Sequence, residues 1–170
     1  VVSDPSAQSV DFSYYEGGDS GTTGTTTIQI IHSSEAPTIE NISFTDGVDI
    51  YVDGSLAIED FSYRSATGLL TLPDSFTVGI APSDDDSIYH EFPFDLQDGG
   101  SYVVVATGLF GSDLTPFNLA AAATEFNQDD ANVVGLNVFH GSTDAPTVDI
   151  WADDSPLLTS FSYGDFSGPV

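Results

Sequence analysis

Apolar and polar residues alternate with a period of two in several short stretches of the chain, which is the pattern of half-buried β-strands. The clearest stretch is Val48–Asp53, and the Asp53-Gly54 pair at its end is a strong hairpin-turn signal. The continuous apolar run Val103–Val105 predicts a central strand that is buried on both faces. These patterns predict strands near Thr27–His32, Val48–Val52, Leu56–Phe61, Gly68–Leu72, Phe76–Ala81, Ile88–Phe94, Tyr102–Leu109, Phe117–Ala121, Gly135–His140 and Val148–Ala152.

Helix and linker signals are few. Only the alanine-rich stretch Leu119–Phe126 has the composition of a short helix or of the start of a linker. The stretch Gly17–Thr26 is rich in Gly and Thr, which is typical of a linker. Ahead of it, Ser9–Tyr15 predicts a strand that pairs on a sheet edge or belongs to a neighbouring module.

The chain contains an internal repeat. His32–Thr38 returns as His140–Thr147, and Val48–Asp53 returns as Val148–Asp153. The first copy differs by a nine-residue insertion, Ile39–Gly47, directly after its Ala-Pro-Thr sequence. Repetition of both the loop and the strand indicates two copies of one structural unit.

These elements predict an all-β fold, an Ig-like antiparallel β-sandwich followed by a partial second sandwich repeat. We assign residues 1–26 to a strand-like segment and linker, residues 27–127 to the complete repeat, and residues 128–170 to the partial one. The second copy has no counterpart of the sequence that follows Leu70 in the first. Its apolar side chains are therefore expected to be partly bare: Leu136, Val138, Phe139, Val148, Ile150, Trp151, Leu157, Leu158, Phe161 and Phe166.

The apolar face that is predicted to be bare in the second repeat has three explanations. The half repeat is disordered, the natural chain continues past Val170, or another subunit supplies the missing strands by strand addition. The third explanation assigns assembly roles to Trp151 in the acceptor and to a donor segment near the N-terminus. The donor residues are Val10, Phe12, Tyr14 and Tyr15.

Both copies match a longer motif. The second copy matches it at His140, Ser142, Asp144–Pro146 and Val148–Ile150, and the first at Val48–Gly54, Phe61, Gly68 and Leu72-Pro73. The pattern resembles His-Ala-Ser-Pro-Asp-Ala-Pro-x-Val-Asp-Val-Tyr-Val-Asp-Gly, the signature of a family of extracellular domains of unknown function. These domains occur in tandem in secreted bacterial and archaeal proteins. The resemblance implies a β-sandwich in a tandem array on a surface protein, and it carries over no catalytic residues.

The charge balance is extreme, with 27 acidic residues, one basic residue (Arg64) and a formal net charge of −26. So few cations exclude nucleic acid and anionic membrane surfaces as partners. Self-repulsion at this charge is relieved at high ionic strength, where the Debye length falls to about 3 Å at 1 M. The composition therefore favours a halophilic or marine setting.

The chain has three histidines and one Ser-containing string of the kind found at catalytic sites. His32 and His140 occupy equivalent strand ends, so we interpret them as structural residues that fix the turn into Ala-Pro, and His90 as an ordinary strand position. Gly18–Gly21 copies the string around a chymotrypsin-type nucleophile, but no His precedes it in the chain. The sequence therefore predicts that the protein is not an enzyme.

Acidic clusters are the best candidates for ligand binding, since calcium takes six to eight oxygen ligands. The candidate metal ligands are Asp46, Asp49, Asp53, Asp149 and Asp153, although none has the spacing of a standard calcium loop. We expect no cofactor, with calcium as the alternative. Asn41, in the inserted loop, is a candidate glycosylation site because it begins an Asn-x-Ser pattern.

Together these features predict a non-catalytic structural, assembly or adhesion module, extracellular or on the cell surface. Its expected partners are further copies of itself or neighbouring surface modules. No apolar run approaches 18 residues, so no membrane insertion of this segment is expected. The alternative is a glycan- or calcium-binding module of a larger exported protein.

Overall fold

A computed structural model describes residues 24–34, 47–83, 85–125, 132 and 134–170. Within these ranges the chain forms β-strands and no helix. No part of the described chain is therefore a helix with the length and apolar character needed to cross a bilayer. The strands are β1 Thr25–His32, β2 Val48–Val52, β3 Ser55–Phe61, β4 Leu70–Pro73, β5 Ser75–Pro82, β6 His90–Asp95, β7 Ser101–Thr107, β8 Asn118–Ala123, β9 Asn137–Phe139, β10 Val148–Ala152, β11 Ser155–Phe161 and β12 Phe166–Pro169.

Strands β1 to β8 form two four-stranded sheets with the orders β4-β1-β7-β8 and β3-β2-β5-β6. Apolar side chains from both sheets form one core, as expected for two sheets packed face to face. The predicted all-β, sandwich-like fold is thus confirmed. The core residues are Ile28, Ile30, Val48, Ile50, Val52, Phe61, Leu72, Phe76, Val78, Ile80, Val104, Ala106, Phe110 and Leu119.

The period-two pattern explains which face of β1 meets the core. Thr26, Ile28, Ile30 and His32 are buried, whereas the residues between them are half-buried. Strand β7 lies between β1 and β8 and is buried from Val104 to Thr107, in agreement with the predicted central strand.

Two features depart from the sequence-based expectation. Strand β1 pairs with β7 in parallel, whereas the other strand pairs of the described chain are antiparallel. The helix considered for Leu119–Phe126 is wrong, because Asn118–Ala123 pairs along β7 as strand β8. The ladder with β7 outweighs the helix propensity of alanine, which is a weak preference.

The turn between β2 and β3 is the predicted two-residue hairpin. Both of its central residues have positive φ, 48° at Asp53 and 77° at Gly54, as a type I′ turn requires. The Asp53 carboxylate also accepts a hydrogen bond of 2.8 Å from the backbone N–H of Thr77 on β5. The turn therefore ties the hairpin to the next strand of its sheet.

The second repeat contains two two-stranded sheets, β10 with β11 and β9 with β12. The sequence predicted β9 and β10 but missed Ser155–Phe161 and Phe166–Pro169. The first of these has a proline at its second position and no clear alternation, so its intrinsic strand signal is weak.

Several predictions fall on residues outside the described ranges. They include the strand at Ser9–Tyr15, most of the linker at Gly17–Thr26 and most of the insertion Ile39–Gly47. The last two linker residues, Thr25 and Thr26, begin β1, so the predicted linker extended too far.

Candidate functional site

The two repeats share one backbone design in their β-hairpins. In the first, Val48 pairs with Phe61, Ile50 with Ile58 and Val52 with Ser55. In the second, the same pairs recur 100 residues later, including Val148 with Phe161. Both hairpins also have the register shift at the same place, so each position of the first repeat serves as a reference for its counterpart.

Each repeat has one histidine at the end of its first strand, and the two histidines make equivalent backbone hydrogen bonds. The His32 N–H donates to the Ser65 carbonyl at 2.9 Å, and the His140 N–H donates to the Asp165 carbonyl at 3.0 Å. The histidine carbonyls accept hydrogen bonds of 2.8 Å from Arg64 and Gly164 respectively. These backbone bonds support the structural interpretation of both residues.

Both histidine rings pack against aromatic side chains. His32 is only 3% exposed and packs 5.8 Å from the Phe61 ring, measured between centroids. Burial lowers the pKa of His32, and among the described residues its Nδ1 atom has no hydrogen-bond partner. His140 is buried as well, and its Nε2 atom donates to the Pro146 carbonyl at 3.1 Å.

Two of the candidate metal ligands accept backbone hydrogen bonds at equivalent positions. Asp49 Oδ1 accepts from the N–H of Asp60 at 2.9 Å, and Asp149 Oδ1 accepts from the N–H of Ser160 at 2.8 Å. Asp60 and Ser160 have φ of 53° and 56°, a strained region for L-residues. The aspartates thus hold an irregular point in each hairpin.

The remaining candidate ligands lie at turns or outside the described chain. Asp53 and Asp153 stand at the two hairpin turns with positive φ, and Asp46 is not among the described residues. Within the described ranges no three carboxylate or imidazole groups come together as a metal site would require. Calcium binding stays a prediction, and so does glycosylation at Asn41, which is also outside these ranges.

The second repeat has an open groove, lined by both polar and apolar side chains, where the first repeat has a closed apolar core. Five equivalent positions line both. The space left among the closed-core side chains is about 20 Å³, whereas the groove measures about 520 Å³. The five equivalent pairs are Ile30 and Val138, His32 and His140, Val48 and Val148, Ile50 and Ile150, and Phe61 and Phe161.

In the first repeat the corresponding volume is occupied by strands β5 and β7. Strand β5 pairs with β2 and contributes Phe76, Val78 and Ile80, and β7 pairs with β1 and contributes Val104 and Ala106. Among the described residues, β10 pairs only with β11 and β9 pairs only with β12. Within the described ranges, β10 and β9 thus each have one edge that pairs with no other strand.

The outer face of the second repeat is also less covered than that of the first. Tyr51 is 8% exposed and its hydroxyl donates to Asp86 Oδ1 at 3.4 Å, and its pKa is raised by burial first and then by Asp86 and Asp49. The equivalent Trp151 is 59% exposed. The β5–β6 connection that reaches Tyr51 has no equivalent around Trp151 in the described chain.

Most of the side chains expected to be bare are at least partly accessible. Leu136, Trp151 and Leu157 are exposed, and Val148 and Ile150 are half-buried. Phe161 contradicts the expectation because it is 6% exposed. Its ring packs beside His140, with the ring centroids 6.3 Å apart, as the Phe61 ring packs beside His32 in the first repeat.

The first repeat contributes one wall of the groove. Ser33 and Tyr63 line it, and the guanidinium of Arg64 lies 5.1 Å from the centre of the Tyr63 ring. The only basic side chain of the chain is thus beside the groove. Sequence reasoning missed Ser33 and Tyr63 as wall residues, because they belong to the first repeat.

Contacts between the repeats hold the groove at one end of the sandwich. The Thr107 and Tyr163 hydroxyls are 3.4 Å apart, and the Asn137 side-chain amide donates to the Thr124 hydroxyl. The predicted donor residues Val10, Phe12, Tyr14 and Tyr15 lie outside the described ranges. Of the predicted assembly residues, only Trp151 is therefore placed by the structure, on the strand that borders the groove.

Comparison with known proteins adds no further assignment. Neither the protein-family models nor the curated proteins include a match to this chain. The family resemblance of the motif remains a prediction.

Proposed function

We propose that this chain is a non-catalytic assembly module of a secreted or cell-surface protein, and that a strand from another subunit completes its second repeat. The proposal includes an extracellular, salt-rich setting, because the chain has 27 acidic residues and only one basic residue. At high ionic strength the repulsion between copies of net charge −26 is screened to a range of a few ångströms.

The observation that carries the proposal is the open groove. Five positions that surround about 20 Å³ of space in one repeat surround about 520 Å³ in the other. Since the hairpin register is the same in both, the difference arises from the strands that cover the first repeat. The apolar side chains that line part of this groove are available to contact the apolar face of an extended segment.

The open edge of β10 supports strand addition as the mode of binding. An unpaired edge strand presents a row of N–H and C=O groups that template pairing with another chain. Three buried anchors of Val to Phe size contribute about 1.5–3 kcal/mol each, and each ladder hydrogen bond adds about 0.5–1.5 kcal/mol. These gains exceed the lower estimates of the cost of association, about 4–15 kcal/mol, so binding needs both the groove and the edge.

The experiment is a measurement of mass against concentration by size-exclusion chromatography with light scattering, in about 2 M NaCl, where charge repulsion is screened. We expect the wild-type chain to assemble with rising concentration, and Ala152→Asp to remain monomeric. Ala152 is exposed, whereas the equivalent Val52 is buried and pairs with β5 in the same sheet, so the charge blocks the edge without a core defect.

The matched control is Thr159→Glu, an exposed position where the first repeat already has Glu59. This control should assemble like the wild type. A wild-type chain that is monomeric at every concentration, or an Ala152→Asp variant that assembles normally, contradicts the proposal. Negative-stain images of the assembled fraction then distinguish filaments from closed oligomers.

A second candidate function, glycan binding, has one specific observation in its favour. Trp151 and Tyr63 are 59% and 42% exposed, and flat aromatic faces of this kind pack against apolar surfaces of ligands. Titration with soluble glycans followed by Trp151 fluorescence tests it. A saturable spectral change that Trp151→Ala abolishes, together with a monomeric wild-type chain, would favour glycan binding over assembly.

A further inference from the structure

We propose that the segment bound along β10 is Val10–Tyr15 of a second copy of this chain. This inference rests on the proposed function, because it names the occupant of the same groove. It is argued from the covering strand of the first repeat, from the residue pattern of the segment and from the positions of the two ends of the sandwich.

Strand β5 is the template for the occupant. It lies antiparallel to β2 and places Phe76, Val78 and Ile80 in the core at every second position. The stretch from Val10 to Tyr14 has the same spacing, with apolar residues at every second position and Asp and Ser between them. An extended strand of this sequence presents three apolar side chains to one face.

The register of β5 on β2 assigns a partner to each anchor. Val52 faces Val78 and Ile50 faces Ile80 in the first repeat. Transferred to β10, Phe12 faces Ala152 and Tyr14 faces Ile150. The first repeat has the Val52–Val78 pair at this position, and the proposed assembly has Ala152 opposite Phe12. The large Phe12 side chain then fills the space that the small Ala152 leaves.

The position of Gly24 favours a second copy over the same chain. Strand β1 runs from Thr25 to His32, and Ser33 after it lines the groove. Its seven steps of about 3.3 Å place the start of β1 roughly 23 Å from the groove. A nine-residue chain from Tyr15 to Gly24 has an average span of about 17 Å and a maximum of about 30 Å, so it reaches its own groove only when it is extended beyond its average. Donor and acceptor at opposite ends instead suit head-to-tail assembly.

The experiment is complementation between two full-length variants in about 2 M NaCl. Phe12→Asp disables the donor and keeps the groove, and Ala152→Asp blocks the groove and keeps the donor. We expect each variant alone to be monomeric and their mixture to form a 1:1 dimer and nothing larger. Trp151 of the Phe12→Asp chain lies beside the bound strand, so its fluorescence should shift to shorter wavelength in the mixture only.

The control variant is Ser9→Asp. It adds the same charge at a position that alternates with the three anchors and so belongs to the opposite face of an extended strand, and it should assemble like the wild type. A mixture that remains monomeric overturns the proposal. So does a Phe12→Asp variant that assembles alone. If in that case Ala152→Asp alone is monomeric, the acceptor groove stands and only the donor assignment fails, whereas normal assembly of Ala152→Asp refutes the groove itself.

Discussion

The repeat offers a matched pair of substitutions whose costs should differ for a single structural reason. Ile50 and Ile150 hold the same place in two hairpins of the same register, facing Ile58 and Leu158. Ile50 is 2% exposed in the closed core of the sandwich, whereas Ile150 is half-buried in the open groove. We predict that Ile50→Ala destabilises the folded chain more than Ile150→Ala.

The magnitudes follow from what each substitution removes. Ile50→Ala leaves a cavity in a closed core and should cost about 2–5 kcal/mol of the free energy of unfolding. Ile150→Ala removes carbon atoms worth about 0.8 kcal/mol each when fully buried, but they are only partly buried and no cavity forms. Its cost should be about 1 kcal/mol in the monomer.

Urea unfolding in high salt, at a concentration low enough for a monomer, measures both costs. Circular dichroism follows the sandwich, and fluorescence of Trp151, the only tryptophan, follows the second repeat. The control pair is Ile58→Ala and Leu158→Ala, both half-buried, which should cost similar amounts. Equal costs of more than about 2 kcal/mol for Ile50→Ala and Ile150→Ala would refute the reasoning, because they would show that the groove is filled in the monomer.

Three further predictions follow from charge, burial and the acidic clusters. The thermal midpoint should be clearly higher in about 2 M than in about 0.05 M NaCl, because salt screens the repulsion of a chain with net charge −26, and an unchanged midpoint in a series of melts would contradict this. Burial lowers the pKa of His32 below its ordinary value of 6.5. Because the unfolded chain therefore binds a proton at His32 more readily than the folded chain, the free energy of unfolding should fall as the pH drops below about 6.5. His32→Gln should lose this part of the pH dependence in urea titrations, whereas His90→Gln, at an exposed position, should keep it. Excess EDTA in high salt should leave the circular dichroism spectrum of the β-strands unchanged, and loss of that spectrum would show a structural divalent ion at the acidic clusters.

Much of the fold could be predicted because its signals are local. Alternation marked Val48–Val52, the Asp53-Gly54 pair marked its turn, and the repeat indicated a second copy of the same structural unit. The weakly patterned Ser155–Phe161 was missed, although its equivalence to Ser55–Phe61 through the offset of 100 residues pointed to it.

The candidate site could be predicted only in part. The missing counterparts of β5 and β7 made an uncovered apolar face foreseeable from the repeat alone. Its walls were not foreseeable in detail, because Ser33 and Tyr63 belong to the first repeat and reach the groove through contacts between repeats. The roles of Asp49 and Asp149 as acceptors for backbone N–H groups also depend on hairpin geometry that clusters of acidic residues do not reveal.

The sequence by itself determined the strand periodicity, the hairpin turns, the charge and the repeat, since each depends on residues close together in the chain or on simple counting. Only the tertiary structure decided that β1 lies parallel to β7, that the predicted strand and not the alternative helix forms at Asn118–Ala123, and which strands bury Ile50 while Ile150 stays half-buried. The two isoleucines occupy nearly identical local sequences. Their burial differs because it is set by strands distant in sequence, and a local pattern specifies the face that needs a partner without specifying the partner.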